Sequence, residues 1–272
     1  MTGTKPFSVK TESIELYSKN LDRLVKIDFY FPSSFETQTE FSFLISNDGQ
    51  DLQTMEFDLL LAQLQDELKP LICAGIHCST DRKMEYGIAG NPDFKGRGGK
   101  AADYRDFILN EFLPFINQKF KTKFITDISY AGFSLGGLSA LDIVWNNYPL
   151  FSKAGVFSGS LWWRSVDQHH KDYNDDKHRI MHQVIRNSSF KPGLRFFFQC
   201  GNMDEIKDRN NNGIIDSIDD TLDLVKELKA KGYSDKDIFY YEIKDGHHDV
   251  PTWARAFPVF LRWGWGKSVN SL

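Results

Sequence analysis

The chain has 272 residues, a formal net charge of −4 and 41% hydrophobic residues. This length is within reach of one large domain, so we expect a single domain over residues 1–272. The acidic balance gives no electrostatic basis for binding nucleic acid or an anionic membrane, and we expect neither as a partner. The longest apolar runs have strand length, and three cysteines are too few for a disulfide framework.

The N-terminal segment, MTGTKPFSVKTESIELYSKN, lacks the apolar core that a signal peptide needs. We therefore expect a cytoplasmic protein. A secreted chain whose leader had been removed and replaced by a start methionine would show the same sequence, so this alternative stays open.

The predicted elements begin with two strands and continue with alternating strands and helices. FSVKTESIELYS and LVKIDFYFP alternate apolar and polar residues, which is typical of antiparallel strands. FSFLISND, PLICAGIHCS and ISYAGFS are apolar strands, followed in turn by the helical patterns TMEFDLLLAQLQDELK, ADYRDFILNEFLPFINQKF and GGLSALDIVWNNYP. AGVFSGS, LRFFFQCG and DIFYYEIKDG are three more strands, followed in turn by the helices HRIMHQVIR, IDDTLDLVKELKAKG and TWARAFPVFLRWGW.

This alternation predicts the α/β class. Buried strands joined by helices form a mostly parallel, doubly wound sheet with helices on both faces. The first two strands fit an antiparallel N-terminal edge. Functional residues in such sheets lie in the loops after the carboxyl ends of the strands, so the candidates are sought there.

The first candidate is Ser134, which lies between Gly132 and Gly136 directly after a predicted strand. In a G-x-S-x-G turn the glycines avoid collisions, and the serine hydroxyl points away from the sheet. The backbone N–H of Leu135 and the start of the following helix then face the position of an oxyanion. A plain glycine-rich turn is the alternative, but the preceding strand and following helix favour a nucleophile.

A nucleophilic serine needs a base and an orienting acid, which follow it in this order of strands. FFFQCGNMDE ends one later strand and offers Asp204 and Glu205. FYYEIKDGHHD ends the next strand and offers His247 and His248. A surface turn would account for DGHHD alone, but three features in the required order favour a catalytic triad.

These motifs resemble the Putative esterase family of α/β-hydrolases, which includes esterase D, enterochelin esterases, feruloyl esterases and acetylxylan esterases. GFSLGG resembles its nucleophile turn, CGNMD its G-x-x-D motif, and GHHDVPTW its G-x-H-D motif followed by tryptophan. The resemblance implies the α/β-hydrolase fold. It also implies Ser134 as the nucleophile, Asp204 as the acid, with Glu205 as the alternative, and His248 rather than His247 as the base.

The resemblance also implies residues around the triad. The second oxyanion donor is expected from the turn after FLISND, as the N–H of Gln50 or, alternatively, of Asp51. Family members carry an R-x-x-E/D-Y segment where this chain has Arg82, Glu85 and Tyr86. We therefore expect these three side chains to line the substrate pocket.

Two further groups of residues have both a functional and a structural interpretation. Trp162 and Trp163, in SGSLWWR after a strand, could form a stacking wall for an aromatic acyl group or a sugar. Core packing explains at least one of them equally well. His178 and His182 are one helical turn apart and could hold zinc, but an exposed segment is favoured because no third ligand is identifiable.

DRNNNGIIDSID, residues 208–219, matches the spacing of an EF-hand calcium loop with a glycine at position 6. The expected ligands are Asp208, Asn210, Asn212, the Ile214 carbonyl, Asp216 and Asp219. We expect a structural Ca²⁺ that stiffens the segment holding the triad acid, and no cofactor for catalysis. The alternative is an Asn-rich surface loop.

The sequence thus predicts a serine hydrolase that cleaves a carboxylic ester through an acyl-enzyme. The resemblance suggests acylated carbohydrates or siderophore-like esters as the substrate class. Two alternatives stay open: an acyltransferase that uses the same triad, and an inactive protein that binds a glycan or an iron chelate.

Overall fold

An eight-stranded sheet forms the centre of the structure, a computed structural model that describes residues 9–267. The strands are β1 (Lys10–Ser18), β2 (Arg23–Phe31), β3 (Glu40–Asn47), β4 (Leu71–Ile76), β5 (Phe124–Phe133), β6 (Lys153–Phe157), β7 (Arg195–Met203) and β8 (Ile238–His247). Their order across the sheet is β1-β2-β4-β3-β5-β6-β7-β8.

Helices connect most of these strands. They are α1 (Gly49–Thr54), α2 (Phe57–Leu64), α3 (Arg82–Glu85), α4 (Ala101–Phe107), α5 (Leu113–Lys119), α6 (Leu135–Asn146), α7 (Asp175–His178), α8 (Ile180–Asn187), α9 (Asp216–Lys231) and α10 (Val250–Trp265). A 3₁₀ turn covers Ser33–Glu36, and a π-helical turn, Ile108–Phe112, joins α4 to α5. No helix within residues 9–267 is long and apolar enough to cross a membrane.

The sheet has the predicted directions. β1 pairs antiparallel with β2, and β2 pairs antiparallel with β4, whereas every other neighbouring pair is parallel. The predicted fold class is confirmed: a mostly parallel α/β sheet with antiparallel strands at its N-terminal edge. The parallel strands from β4 to β8 end at one common edge, and the loops beyond that edge carry the candidate site.

Two hydrophobic cores lie on opposite faces of the sheet. Phe196 and Phe198 of β7 face one core, under α4, α5, α6, α8 and α9. Phe197, between them, faces the other core, under α1, α2 and α10. Because the strands are buried on both faces, they read in the sequence as continuous apolar runs rather than as alternating patterns.

The structure departs from the predicted helices in two places. The pattern TMEFDLLLAQLQDELK, predicted as one helix, is divided between α1 and α2, because Glu56 has a left-handed φ of 52°. The long helix Ala101–Lys119 is continuous but widens into the π-helical turn just before Pro114. Proline has no N–H to donate to the preceding turn, and the wider turn accommodates this loss.

Candidate active site

Ser134 occupies a strained turn between β5 and α6. Its φ of 53° and ψ of −119° are rare for a residue with a side chain and cost about 1–3 kcal/mol. The turn is fixed by hydrogen bonds from Ser134 N to Phe157 O at 2.8 Å and from Ser160 N to Ser134 O at 3.0 Å. The half-buried hydroxyl is thereby presented at the carboxyl edge of the sheet.

The glycines of this turn are required by close backbone contacts. A Cβ atom at Gly132 would lie closer than 3.0 Å to the backbone of Gly136. A Cβ atom at Gly136 would collide with the Asp48 carboxylate. The predicted reason for glycine on both sides of Ser134, the avoidance of collisions, agrees with these contacts.

The N-termini of two helices meet beside Ser134. Leu135 begins α6, and Gln50 is the second residue of α1. Within residues 9–267, neither backbone N–H has a hydrogen-bond acceptor, which is usual for the first residues of a helix. Asn47, the last residue of β3, donates from Nδ2 to Gly136 O at 2.8 Å and connects the two turns.

A buried ion pair lies directly beneath these turns. Arg82 donates from Nε to Asp48 Oδ1 at 2.7 Å and from Nη2 to Asp48 Oδ2 at 2.8 Å. Its Nη2 also donates to Phe133 O at 3.2 Å, one residue before Ser134. The Asp48 side chain is completely buried, whereas Arg82 is 29% exposed. Arg82 therefore joins the turn after β3 to the turn after β5.

Glu85 and Tyr86, which were expected to line the pocket, are buried and engaged elsewhere. Glu85 accepts two hydrogen bonds from Arg23, at 2.8 and 2.7 Å, and is 3% exposed. The Tyr86 hydroxyl accepts from Asp48 N at 3.3 Å, and the residue has no exposed surface. In this structure both side chains hold the loop after β4 in place and are not open to a substrate.

The candidate acid and base emerge side by side. The ladder between β7 and β8 ends with Met203 opposite His247, so the next residues, Asp204 and His248, follow neighbouring strand ends. Both line one cavity of about 140 Å³ with Ser158 and Gly159. The predicted acid and base are therefore adjacent in space, although the hydroxyl of Ser134 is not among the groups lining this cavity.

The surroundings of His248 favour its neutral form. Burial lowers the pKa of the imidazole, Asp204 raises it, and the positive charge of Arg82 lowers it further, with a net decrease. The residue as a whole is nevertheless exposed. An imidazole whose pKa lies below its ordinary value is unprotonated at neutral pH, which is the form that accepts a proton from a serine.

Asp204 carries two buried carboxylate oxygens that have no hydrogen-bond partner within the described part of the chain. Burial raises the pKa of this carboxyl, whereas the nearby Ser158 hydroxyl and His248 ring act in the opposite direction. An unsatisfied buried carboxylate is costly unless a donor is available. The imidazole N–H of His248 is the neighbouring donor that could satisfy it.

The triad hydrogen bonds are not formed in this conformation. Among residues 9–267, the side chain within hydrogen-bond reach of Ser134 Oγ is Ser160, whose Oγ lies 3.4 Å away. The His248 ring packs edge-on against Trp253, with ring centroids 5.5 Å apart. Catalytic hydrogen bonds are often long without substrate, and a turn of the imidazole about its side-chain bonds is needed to form them.

Three residues that shape the site were given no role from the sequence, although Trp253 is the tryptophan of the GHHDVPTW motif. Trp253 stacks on Phe133 at 5.0 Å and donates from Nε1 to Ser158 Oγ at 3.0 Å, so its indole connects the nucleophile strand to the cavity of the acid. Ser158, with a φ of 43°, and Ser160 both come from the segment SGS after β6. The position of SGS after a strand was a usable signal, but its contacts depend on the tertiary fold.

Glu205, the alternative acid, is half-buried and lines the same cavity as Asp204. Burial and the charge of Asp216 raise the pKa of its carboxyl. The charges that act on His248 come from Asp204, Arg82 and Asp249 rather than from Glu205. The electrostatics therefore favour Asp204 as the partner of the base.

The two tryptophans have different environments. Trp163 is fully buried and donates from Nε1 to Asn91 O at 3.0 Å, as expected of core packing. Trp162 is half-buried, lines the cavity with Asp204 and His248, and lies under the guanidinium of Arg97 at 4.8 Å. Only Trp162 can therefore contact a ligand in this cavity.

Most predicted calcium ligands converge in the loop 208–219. Asn210 and Asn212 donate from Nδ2 to Asp219 Oδ2 at 2.7 and 3.2 Å, and Asp208 accepts from Gly213 N at 2.9 Å. The Oδ1 atoms of Asn210 and Asn212 accept from Asn212 N at 3.2 Å and from Ile214 N at 2.8 Å, so in this conformation both amides turn their nitrogens toward Asp219. The Ile214 carbonyl is expected at position 7 of this loop.

Asp216 is the exception among these ligands. It accepts a hydrogen bond from Arg209 N at 2.8 Å and pairs with the Arg209 guanidinium at 3.3 Å. Within residues 9–267, no three His, Cys, Asp or Glu side chains are grouped closely enough to hold a metal ion. Ca²⁺ binding by this loop therefore stays a prediction.

The histidine pair does not form a zinc site in this conformation. His182 is buried, and its Nε2 is 2.9 Å from Asp220 O. His178 Nδ1 accepts from Asn174 N at 2.9 Å. Each ring is thus engaged with a different backbone group.

Comparison with known proteins gives one family and several similar structures. The model of the family described as "Putative esterase" matches residues 18–263. An uncharacterized protein of Bacillus subtilis (strain 168), YbbA, is 24% identical over 253 residues, which cover 91% of this chain and 95% of that protein.

The structural neighbours share the fold at low sequence identity. The enterobactin esterase of Shigella flexneri, in a crystal structure with enterobactin, has a TM-score of 0.71 at 18% identity, covering 93% of this chain but 58% of the other. A siderophore hydrolase, EstB from Aspergillus nidulans, has a TM-score of 0.69 at 16% identity, covering 92% and 94%. A ferulic acid esterase has a TM-score of 0.66 at 17% identity, covering 94% and 99%.

Proposed function

The chain belongs to the Putative esterase family of carboxylic ester hydrolases, and from that premise we propose that it acts through Ser134, His248 and Asp204. The observation that supports this assignment most directly is the pairing of β7 with β8 up to Met203 and His247. In this pairing the strand ends that precede Asp204 and His248 are neighbours, at the same edge of the sheet as the strained turn of Ser134.

In the proposed mechanism, His248 accepts the Ser134 proton as the hydroxyl oxygen attacks the ester carbonyl. The N–H groups of Leu135 and Gln50 stabilise the resulting oxyanion. The tetrahedral intermediate collapses to an acyl-enzyme, and the alcohol leaves with the proton from His248. A water molecule activated by His248 then releases the acid. Asp204 orients the imidazole and stabilises its charged form.

We propose acylated carbohydrates or siderophore-like esters as the substrate class. The support consists of the names of the structural neighbours, an enterobactin esterase, a ferulic acid esterase and a siderophore hydrolase, and of the half-buried Trp162 at the cavity. Acetyl, feruloyl, long-chain and cyclic lactone esters, compared on the purified protein, would distinguish these substrates. Adding an alcohol acceptor and analysing the products separates hydrolysis from acyl transfer.

The assignment of the nucleophile is tested with Ser134→Ala. We expect kcat/KM for a p-nitrophenyl ester to fall by about 10⁴-fold or more, and labelling by a fluorophosphonate probe to disappear. Circular dichroism should show an unchanged fold. Ser165→Ala, at an exposed serine of a neighbouring loop, is the control and should keep both activities. Equal labelling of wild type and Ser134→Ala would rule out this nucleophile.

A further inference from the structure

A second cavity, of about 250 Å³, adjoins the one that holds Asp204 and His248. Trp162 and Glu205 line both cavities, so the two adjoin at these side chains. Ser160, whose hydroxyl is 3.4 Å from that of Ser134, precedes Arg164 of the second cavity by four residues. At about 3.3–3.6 Å per residue, this separation limits the distance between their Cα atoms to roughly 14 Å.

The walls of this second cavity are cationic and aromatic. Its basic side chains are those of Lys95, Arg97, Arg164 and Lys207. The guanidinium of Arg164 lies 5.5 Å from the ring of Phe94 and 5.7 Å from that of Trp162. A concentration of positive charge beside the active site contrasts with the overall charge of −4. Such a local field attracts anions.

Three of the four cations have no ion-pair partner. Within residues 9–267, Arg164, Lys95 and Lys207 form no salt bridge, and the Arg164 Nε is buried without a hydrogen-bond acceptor. Arg97 is the exception, because it donates from Nε to Asp93 at 2.8 Å. The Arg164 guanidinium also donates from Nη1 to Trp162 O, at 3.5 Å, so its donors are only partly used and an anionic group can accept from the rest.

The carboxylates near this cavity do not neutralise its positive charge. Asp216 is already paired with Arg209. Glu205 faces the Ser217 backbone N–H, and its pKa is raised by burial. Asp167 is half-buried and accepts a hydrogen bond from His169 N at 3.0 Å, which lowers the pKa of its carboxyl; the charges of Arg164 and Lys95 contribute less, and within residues 9–267 Asp167 forms no ion pair with either. The cavity therefore keeps unpaired positive charge.

We propose that the cavity bounded by Trp162 and Arg164 binds an anionic aromatic part of the ester substrate. This proposal rests on the proposed function. The ring packs against the indole of Trp162, and a carboxylate or phenolate accepts hydrogen bonds from Arg164, with Lys95 and Lys207 nearby. Arginine that already packs on aromatic rings presents its N–H groups with little loss of conformational freedom. The negatively charged group can belong to either the acyl group or the alcohol group of the ester.

Two pairs of esters test the proposal and distinguish these sources. In the first pair the charge is on the acyl group: the p-nitrophenyl esters of terephthalate and of its monoamide. In the second pair it is on the alcohol: the acetate esters of 4-hydroxybenzoate and of 4-hydroxybenzamide. We expect kcat/KM, corrected for spontaneous hydrolysis, to favour the acid over its amide by about tenfold in one pair, and less at high salt.

The variants Arg164→Gln and Lys236→Gln provide the comparison. Arg164→Gln should bring the ratio of acid to amide close to one. Lys236→Gln removes an equal charge from the exposed turn before β8, at the opposite end of that strand from His248, and should keep the ratio. Turnover of the neutral esters with no preference for the acid in either pair would overturn the inference. A preference that survives in Arg164→Gln would also overturn it.

The failure of the proposed function would be seen separately, as the absence of turnover for all four esters. In that case, calorimetric titration with terephthalate compares wild type with Arg164→Gln directly. Weaker binding by the variant supports the cavity as an anion site, and equal or absent binding overturns it.

Discussion

Arg82 touches both sides of the proposed oxyanion site. It pairs with the buried Asp48 after β3 and donates to Phe133 O before Ser134. If the N–H groups of Gln50 and Leu135 both act on the oxyanion, their separation depends on this connection. Arg82 therefore acts as a positioning residue, and its positive charge also contributes to the low pKa of His248.

We predict that Arg82→Gln lowers kcat by about 10²-fold, the loss typical of an oxyanion donor that is out of place, with a smaller change in KM. Removing a nearby positive charge makes the imidazolium less unfavourable, so the pKa of His248 rises. Because the base must be neutral, the acid limb of the kcat/KM profile should move to higher pH. Rates measured between pH 5 and 9 test this shift.

The control for this prediction is Arg23→Gln. Arg23 makes an equivalent two-bond pair with the buried Glu85, away from His248. Breaking either buried pair leaves a carboxylate unpaired and should cost about 3–5 kcal/mol of unfolding free energy, discounted for the partial exposure of the arginines. Only Arg82→Gln should move the acid limb. A limb that stays at the wild-type pH would contradict the role of Arg82 beside the base.

At the scale of elements, the turn from β5 to α6 fits against the turn after β3 with no space for a methyl group. We predict that Gly136→Ala lowers both stability and kcat, because the new Cβ would collide with the Asp48 carboxylate. We expect a loss of about 1–3 kcal/mol, the usual cost of overpacking, measured by urea denaturation. Gly264→Ala in α10 is the control, since the nearest atom to its Cβ is 3.7 Å away.

The calcium loop gives the second prediction at this scale. We expect millimolar Ca²⁺ to raise Tm and a chelator to reverse the increase, because the side chains of Asn210 and Asn212 already converge on Asp219. Asp208 accepts from Asn212 N with one carboxylate oxygen and from Gly213 N with the other, so Asp208→Asn removes one negative charge and one of these two hydrogen bonds. It should weaken the calcium effect, measured as the difference in Tm with and without Ca²⁺ for the same variant. Identical melting curves with Ca²⁺ and with chelator would end the calcium hypothesis.

The elements that carry the fold could be predicted from the sequence because each is encoded locally. Apolar runs of strand length alternate with helical patterns, so the order of strands and helices and the antiparallel edge follow from periodicity. The division of one predicted helix at Glu56 could not be predicted, because a left-handed conformation at glutamate is imposed by packing around the turn.

The candidate site likewise contains residues that could be predicted from the sequence and residues that could not. Gly132, Ser134 and Gly136 were identifiable because the turn needs these residue types at this spacing. The different environments of Trp162 and Trp163 could not be predicted from the sequence, since they depend on contacts with residues far away in the chain, such as Asn91. The burial of Tyr86 likewise results from contact with Asp48, 38 residues earlier.

At the scale of the whole molecule, the candidate site depends on both cores at once. α6, which follows Ser134, packs on one face of the sheet, and α10, which follows His248, packs on the other. Asp48 directly follows β3, and Asp204 directly follows β7. The relative positions of nucleophile and base are therefore maintained only while both layers of helices are attached to the sheet.

This arrangement predicts a single unfolding transition for the whole chain. Phe257 of α10 packs within 5.0–5.9 Å, between ring centroids, of Phe57, Phe133 and Phe157. Leu228 of α9 is equally buried in the opposite core. Phe257→Ala and Leu228→Ala should each lower the free energy of unfolding, by about 3–5 and 2–5 kcal/mol respectively, as measured in urea by tryptophan fluorescence and circular dichroism.

In both variants the two probes should report the same midpoint, because removing contacts from either core destabilises the sheet that the two cores share. Neither side chain touches Ser134, Asp204 or His248 within the described contacts, so kcat of the folded fraction should stay within about threefold of wild type. A variant that unfolds in two steps, with one face melting while activity persists, would mean that the cores are independent. The prediction of one domain over residues 1–272 would then be wrong.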